Sequence, residues 1–301
     1  STLVIKAPSW FHHYVAAAAS DHSITINDCS IHYRKWDKDF NLNKPTFLFV
    51  HGHGANLHWW DFIAPAFLGE YNVVAVDLSG SGDSGHRSEY SLEVFSQEII
   101  GVCKDANLKN ITLIGHSFGG SVARSCAFLN PGFFSRLILV DSSFEARKSY
   151  PALSRKKSAS KRYYATLEEA KKRFKLRPPQ PCLNQYILDY IAAHSLTKST
   201  GGYCFKLDQQ MFKKMKQSSL PNALSMVEGI TCPVGLIYGE NSRFFTSHTI
   251  HILKRVIPSS RILSIKDAHH HLFLECPNKF IDSLVILTSL MTPTHPPIDP
   301  P

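Results

Sequence analysis

The sequence predicts an α/β chain built around a mostly parallel sheet, and three observations carry that expectation. Short apolar runs alternate with helix-period stretches as far as Asp141. The alternation then stops for a long basic stretch and resumes near Val234. Between an apolar run at 111–114 and a helix-like stretch at 121–129 lies Gly115-His116-Ser117-Phe118-Gly119. Alternating strands and helices imply βαβ units, whose strands lie parallel in one sheet.

The elements follow in order. Residues 1–22 read as an N-terminal extension, helical over 10–19. Ile24-Thr25-Ile26 and Ile31-His32-Tyr33 flank Asn27-Asp28, a turn pair, and predict a hairpin. Thr46–Val50 and 73–76 are buried-strand runs, each ending in a glycine-bearing loop: His51-Gly52-His53-Gly54 and 77–84. The stretches 57–68, 92–106 and 121–129 are the expected crossover helices. From 144 to 228 the chain is basic and helix-forming, broken by Pro178-Pro179 and Gly201-Gly202. Strands return at 234–238 and 261–265, and 277–290 has the pattern of a last amphipathic helix. The proline-rich end, 291–301, is expected to be a disordered tail.

The Gly-x-Ser-x-Gly run gains meaning from its context, since strand, tight turn and helix are what it requires. Side chains at the two glycines would collide with the neighbouring strand and helix. The turn lifts the Ser117 hydroxyl clear of the backbone at a helix N-terminus, where free N–H groups favour an anion.

Six pieces in fixed order now resemble the α/β-hydrolase superfamily, in its branch with a helical lid: HGHG at 51–54, DLSGSGDS at 77–84, GHSFGG at 115–120, LILVDSS at 137–143, LIYGENS at 236–242 and DAHHHLFLECP at 267–277. The stretch LRPPQPCLNQYILDYIAAHSL, with the triple histidine, is similar to one subgroup of lid-bearing hydrolases. The resemblance implies an eight-stranded, mostly parallel sheet flanked by helices. It divides the chain into an extension at 1–22, a core at 23–143 and 229–290, a helical lid at 144–228 and a tail at 291–301.

Serine needs a base within hydrogen-bond reach, and the base needs an orienting acid. The resemblance places the base on a loop after the last strand, five residues before an acid near a proline. That acid is Glu275, ahead of Cys276-Pro277, so the base is His270, with His269 and His271 as the alternatives. The family's usual acid lies three residues after the glycine that ends the penultimate strand. Here that glycine is Gly239 and the position holds Ser242, which carries no charge. Some branches place the acid where Asp141 stands, and Asp141 is the preferred candidate. Glu240 is the alternative acid. Asp267 is too close in sequence to His270, and Asp77 and Asp83 belong to a turn motif. The backbone N–H groups of His53 and Phe118 are the expected oxyanion donors. Trp59, Trp60 and Phe144 are candidate pocket aromatics, with a place in the core as the alternative for each. His116 is expected to pack beneath the nucleophile, and His51 to hydrogen-bond at the oxyanion loop.

The function implied is a serine hydrolase acting on an ester-type acyl bond of a small or medium hydrophobic substrate, through an acyl-enzyme on Ser117. A carbon–carbon bond hydrolase with the same three residues, or a ligand-binding pseudo-hydrolase, stays open. Dehalogenases and epoxide hydrolases of this fold use an aspartate nucleophile, which Ser117 argues against. No metal or organic cofactor is required by this chemistry.

Composition sets outer bounds. Hydrophobic residues are 44% and charged residues 19% of 301, which reads as globular. No apolar run has the length of a transmembrane span. The formal charge is +9, concentrated at 155–157, 161–162, 171–173 and 213–216. That pattern reads as a solvated lid face, with steering of an anionic substrate or docking at a membrane surface as the functional alternatives. No nucleic-acid motif accompanies it. Seven cysteines without CxxC spacing fit free thiols in a reducing, cytoplasmic setting, and the first residue, Ser1, leaves a removed leader open. His269-His270-His271 is not a ligand tract, because adjacent side chains diverge. The substrate is expected to be a small molecule of anionic or acyl type; the oligomeric state is not encoded in any motif.

Overall fold

The computed structural model describes residues 5–145 and 161–293. The basic cluster at 155–157 and the tail from 294 lie outside the described residues. Helix α1 (Ser9–Val15) buries Phe11 and leads into strand β1 (Ala19–Ile26), which folds back on β2 (Cys29–Trp36). Asn27 and Asp28 have φ of 46° and 61°. Two left-handed residues in a row give the tight turn whose twist matches a hairpin, with Ile26 opposite Cys29. Strands β3 (Thr46–Val50) and β4 (Asn72–Val76) follow, buried along their whole length.

The stretch expected as one helix over 57–68 is instead two 3-10 turns, Leu57–Trp60 and Ala64–Phe67. Pro65 supplies no N–H for an α-helical bond, and its ring crowds the preceding turn, so a continuous α-helix cannot run through it. Helix α2 (Leu92–Asp105) starts at Ser91, whose hydroxyl accepts the Val94 N–H. Strand β5 (Ile111–His116), helix α3 (Phe118–Leu129) and strand β6 (Arg136–Val140) complete the first half.

Between β6 and the next core strand the described residues form helix α4 (Leu167–Lys171), helix α5 (Gln185–His194), a hairpin of β7 (Leu196–Ser199) and β8 (Gly202–Phe205), a 3-10 turn at Met211–Lys214, and helix α6 (Ala223–Gly229). The hairpin was not foreseen. Gly201-Gly202 reads as a helix break, yet Gly202, at φ 118°, turns the chain back on itself. The core resumes with β9 (Val234–Gly239), α7 (Ser247–Leu253), β10 (Ile262–Ile265), the single turn α8 (Leu272–Glu275) and α9 (Pro277–Ser289).

The eight core strands are ordered β1-β2-β4-β3-β5-β6-β9-β10. Pairing is antiparallel from β1 to β4 and parallel from β4 onward. The period of two divides β3 between the faces: Leu48 and Val50 pack with Phe95 and Val122, while Phe47 and Phe49 pack with Trp60 and Phe280. Helices on both faces bury the parallel strands, whose side chains are mostly apolar. No helix among the described residues is long and apolar enough to cross a membrane.

A buried carboxylate pins the loops at the strand ends. Asp77, fully buried, accepts His32 Nδ1 at 2.7 Å, the Leu57 N–H at 2.8 Å and the Asp83 N–H at 2.9 Å. Burial by itself would raise this carboxyl. The His32 hydrogen bond, the charges of His51 and His32, and the Leu57 amide outweigh it, so Asp77 sits below the usual carboxylate range. Burial likewise pulls His32 down, but its bonds to Asp77 and Asp21 win and raise it.

Asp77→Ala should therefore lower unfolding free energy by about 3–5 kcal/mol, because it strands a buried imidazole and two amides. The signs set a pH window. The lowered Asp77 contributes stability above about pH 4, lost as pH falls through its folded value; the raised His32 contributes below about pH 6.5, lost as pH rises through its folded value. Denaturant titrations of wild type and His32→Gln across pH 3–9 should show the largest stability gap between those limits. A gap that widens steadily with pH would contradict this reading.

Candidate functional site

The site forms at the carboxyl ends of β3, β5, β6 and β10. Ser117 lies at the junction of β5 and α3 with φ 56° and ψ −123°, a strained backbone for a residue with a side chain. Close approach imposes the glycines on either side. A Cβ on Gly115 would stand 2.4 Å from the Gly119 carbonyl oxygen, and one on Gly119 would stand 2.2 Å from the His51 carbonyl oxygen. The turn is anchored by the Ser117 N–H donating to the Val140 carbonyl at 3.0 Å and by Ser142 Oγ donating to the Ser117 carbonyl at 2.8 Å.

His270, on the loop between β10 and α8, stands with Nε2 at 2.8 Å from Ser117 Oγ and Nδ1 at 2.6 Å from Asp141 Oδ1. Asp141 follows β6, is fully buried and holds φ at 43°. Its carboxylate also accepts Ser242 Oγ at 2.7 Å and the Gly239 N–H at 2.8 Å. Ser117, His270 and Asp141 thus form one hydrogen-bonded chain. Ser242, at the position where an acid was sought, faces this carboxylate as a donor. Sequence reasoning missed that role. The signal was a hydroxyl, able to bond an acid, in place of the acid itself. Glu240 is exposed, and its carboxylate meets the Asp267 N–H at 3.4 Å rather than His270.

The three consecutive histidines go three ways. Glu275 accepts the His269 N–H at 2.8 Å and contacts its Nδ1 at 2.9 Å. His271 donates its N–H to Gln180 Oε1 at 2.7 Å, and its Nε2 meets the Arg177 carbonyl at 2.9 Å. Burial, then the neighbouring His270 charge, pushes His271 down to about 3. His116 lies under the site, its Nε2 donating to the His270 carbonyl at 2.9 Å. Burial, then the charges of His270 and His271, holds His116 well below the ordinary histidine value, so its ring is neutral. His51 Nε2 accepts the Leu78 N–H at 3.1 Å.

The loop after β3 runs beside the nucleophile. A Cβ on Gly52 would be 3.2 Å from the Ser117 Cβ. This brings the His53 loop beside Ser117, and the His53 ring lies 6.4 Å from that of Phe118, the first residue of α3. The His53 ring lies 4.0 Å from that of Phe212, and Phe244 lies 4.8 Å from His270. Neither Phe212 nor Phe244 carried a signal in the sequence. Phe144 is half-buried beside Arg124. Trp59 is buried against His271 and Phe174. Trp60 belongs to the core rather than to a pocket: it is fully buried, stacked on Phe273 at 4.5 Å. Its position one residue after Trp59 turns it toward the sheet.

Among the described residues, two clusters bring histidine and carboxylate atoms within metal-ligand spacing: His58, Asp61 and His194, and His32, Asp77 and Asp83. In each, the central carboxylate is already engaged, Asp61 by Arg34, His58 and Tyr190, and Asp77 as described above. The triple histidine is not one of them.

Parallel strands that deliver a serine, a histidine and an aspartate to one edge define a class, the α/β proteins with a strained serine turn between strand and helix. The family model described as alpha/beta hydrolase fold matches residues 45–172. A putative esterase/lipase from Haemophilus influenzae is 28% identical over 133 residues, 44% of this chain and 46% of that one, so the match spans about half its length. The sn-1-specific diacylglycerol lipase ABHD11 of Mus musculus is 24% identical over 290 residues, covering 89% of this chain and 88% of the relative. Among solved structures, E-2-(acetamidomethylene)succinate hydrolase aligns over 90% of this chain and all of its own, with a TM-score of 0.76 at 16% identity. The chain has the α/β-hydrolase fold.

Ser242→Ala removes one of the two side-chain donors on a buried carboxylate. It should cost about 1.5–3 kcal/mol of unfolding free energy, read from denaturant midpoints, with Ser242→Thr largely retaining it. Equal stability of Ser242→Ala and wild type would mean that the bond contributes nothing.

Proposed function

We propose that this hydrolase cleaves an ester-type acyl bond of a small or medium hydrophobic substrate through an acyl-enzyme on Ser117. The observation that supports this most directly is the hydrogen-bonded chain from Ser117 Oγ through His270 to Asp141, at 2.8 Å and 2.6 Å. Those are the separations at which an imidazole can take a hydroxyl proton while a carboxylate fixes its tautomer.

In this mechanism His270 Nε2 takes the Ser117 proton as Oγ attacks the acyl carbon. The carbonyl π pair moves onto oxygen, and the backbone N–H groups of His53 and Phe118 stabilise the charge. Collapse expels the alcohol, which takes the proton from His270. Water, deprotonated by His270, then attacks the acyl-enzyme and releases the acid and free Ser117. Asp141 stays ionised and stabilises the transient imidazolium. The neutral state of His116 and His271 keeps cations from competing with that imidazolium.

Phe244 beside His270, and Phe212 beside His53 and Phe118, support a hydrophobic acyl chain. The insertion between β6 and β9 serves as the lid over it. Seven free thiols, Cys29, Cys103, Cys126 and Cys204 among them buried, favour a reducing, cytoplasmic setting.

Intact mass after a fluorophosphonate probe tests the reading. Wild type should gain one adduct and Ser117→Ala none. Esterase turnover should fall on the order of 10⁴-fold in Asp141→Asn and more in Ser117→Ala, with Glu240→Gln close to wild type. A folded wild type that takes no adduct would sink the proposal.

A further inference from the structure

The serine chemistry makes no use of Arg124, yet this residue is costly to keep. It lies on α3, seven positions past Ser117, about 10 Å along the helix axis. Side chains on a helix lean toward its N-terminus, which here is the nucleophile end. Arg124 is only 5% exposed, and among the described residues its Nε and Nη1 have no hydrogen-bond partner. The guanidinium carbon stands 5.1 Å from the centre of the Phe144 ring. Burial pushes its pKa down to about 10, so it remains a cation at neutral pH.

An isolated buried cation opposes folding unless something compensates it. The Phe144 ring recovers part of that through its negative face, but it satisfies none of the planar N–H donors. Glu145, the adjacent acid, is exposed and forms no ion pair with it among the described residues. The helix would accept an apolar residue here, since Val122, Ala123, Cys126 and Ala127 are buried beside it.

The location points inward. Phe144 is three residues past Asp141. Ser142 both bonds the Ser117 carbonyl and presses on Gly120, where a Cβ would meet the Ser142 Cβ at 2.5 Å. Gly120 is one helical turn before Arg124 and shares its face. The segment 141–144 therefore links the acid of the site to the unpartnered guanidinium.

We propose that Arg124 is the anion-binding end of the acyl pocket, and that the preferred substrate is an ester whose acyl chain ends in a carboxylate several carbons from the reacting carbonyl. A guanidinium presents paired donors that match a carboxylate, and the Phe144 ring lies along the approach. The formal charge of +9 favours encounter with such anions. The inference rests on the serine-hydrolase reading above and sharpens its substrate class.

The test has a kinetic and a binding arm. In the first, monomethyl esters of linear dicarboxylic acids, from succinate to sebacate, are compared with methyl esters of fatty acids of matched length. Wild type should prefer the acid-ended ester at one chain length by about tenfold or more in kcat/KM, the worth of a charge-assisted hydrogen bond. That ratio should collapse in Arg124→Met through KM and return in part in Arg124→Lys. In the second arm, the free diacids are titrated by calorimetry into Ser117→Ala and into Ser117→Ala/Arg124→Met. Binding should weaken about tenfold with Arg124 gone. Without ligand, Arg124→Met should melt no lower than wild type, because an uncompensated buried charge has been removed. An unchanged preference ratio together with unchanged diacid binding would overturn the proposal, as would a marked loss of Tm in Arg124→Met, which would assign Arg124 a structural role. Diacid binding that depends on Arg124 without any hydrolysis would support the anion site and count against the serine-hydrolase reading instead.

Discussion

The carboxylate of Asp141 is the interaction on which the arrangement of the site depends. Its donors come from three segments distant in sequence: the end of β9 at Gly239, the following loop at Ser242, and the loop after β10 at His270. The sheet order places β6 beside β9 and β9 beside β10, so one buried acid ties three adjacent strand ends. The backbone of Asp141 is left-handed, a conformation that costs about 1–3 kcal/mol and persists only where the surroundings enforce it. Those donors are the enforcement. With serine at position 242, the negative charge stands one strand over while the hydrogen bond between the two positions is kept.

Around that centre the electrostatics favour a single imidazolium. The rings of His116 and His271 lie 5.0 Å and 4.9 Å from His270. If either carried a charge, it would oppose protonation of His270 at the moment a base must accept a proton. Burial keeps both neutral. The neutral His116 still positions the base, through its bond to the His270 carbonyl. The histidine richness of this region thus serves packing and hydrogen bonding around His270.

Much of this was legible in the sequence where a residue type and its spacing left one option. The core strands announced themselves as apolar runs, and Asn27-Asp28 announced its turn. The Ser117 elbow was fixed by glycines that nothing larger could replace. His270 was legible only through the family resemblance, because spacing alone does not separate three adjacent histidines. What escaped detection depends on tertiary neighbours. Trp59 and Trp60 have the same chemistry and both enter the core, Trp60 stacked on Phe273 and Trp59 also reaching His271. The helix over 57–68 failed on Pro65, whose effect the hydrophobic period conceals. The β7–β8 hairpin was hidden because a glycine pair breaks a helix and turns a hairpin equally well. Ser242 looked like a defect, since the partner that explains it lies 101 residues away in sequence.

The loop that carries His270 is held from outside as well as from within. The insertion reaches it through the Arg177 carbonyl and Gln180 side chain on His271, Gln180 Nε2 on Glu275, Cys182 Sγ on the Leu274 carbonyl, and Asn184 Nδ2 on the Leu274 and Glu275 carbonyls. Helix α5 begins just beyond that strap and is backed by Phe11 of α1, whose ring packs on Tyr186 and Tyr190. A continuous line of contacts therefore runs from the N-terminal helix through the insertion to the residues flanking the base. A displacement of 177–184 removes acceptors from His271 and a donor from Glu275, and Glu275 in turn holds His269 in place. The insertion thus contributes to holding the loop on which His270 stands.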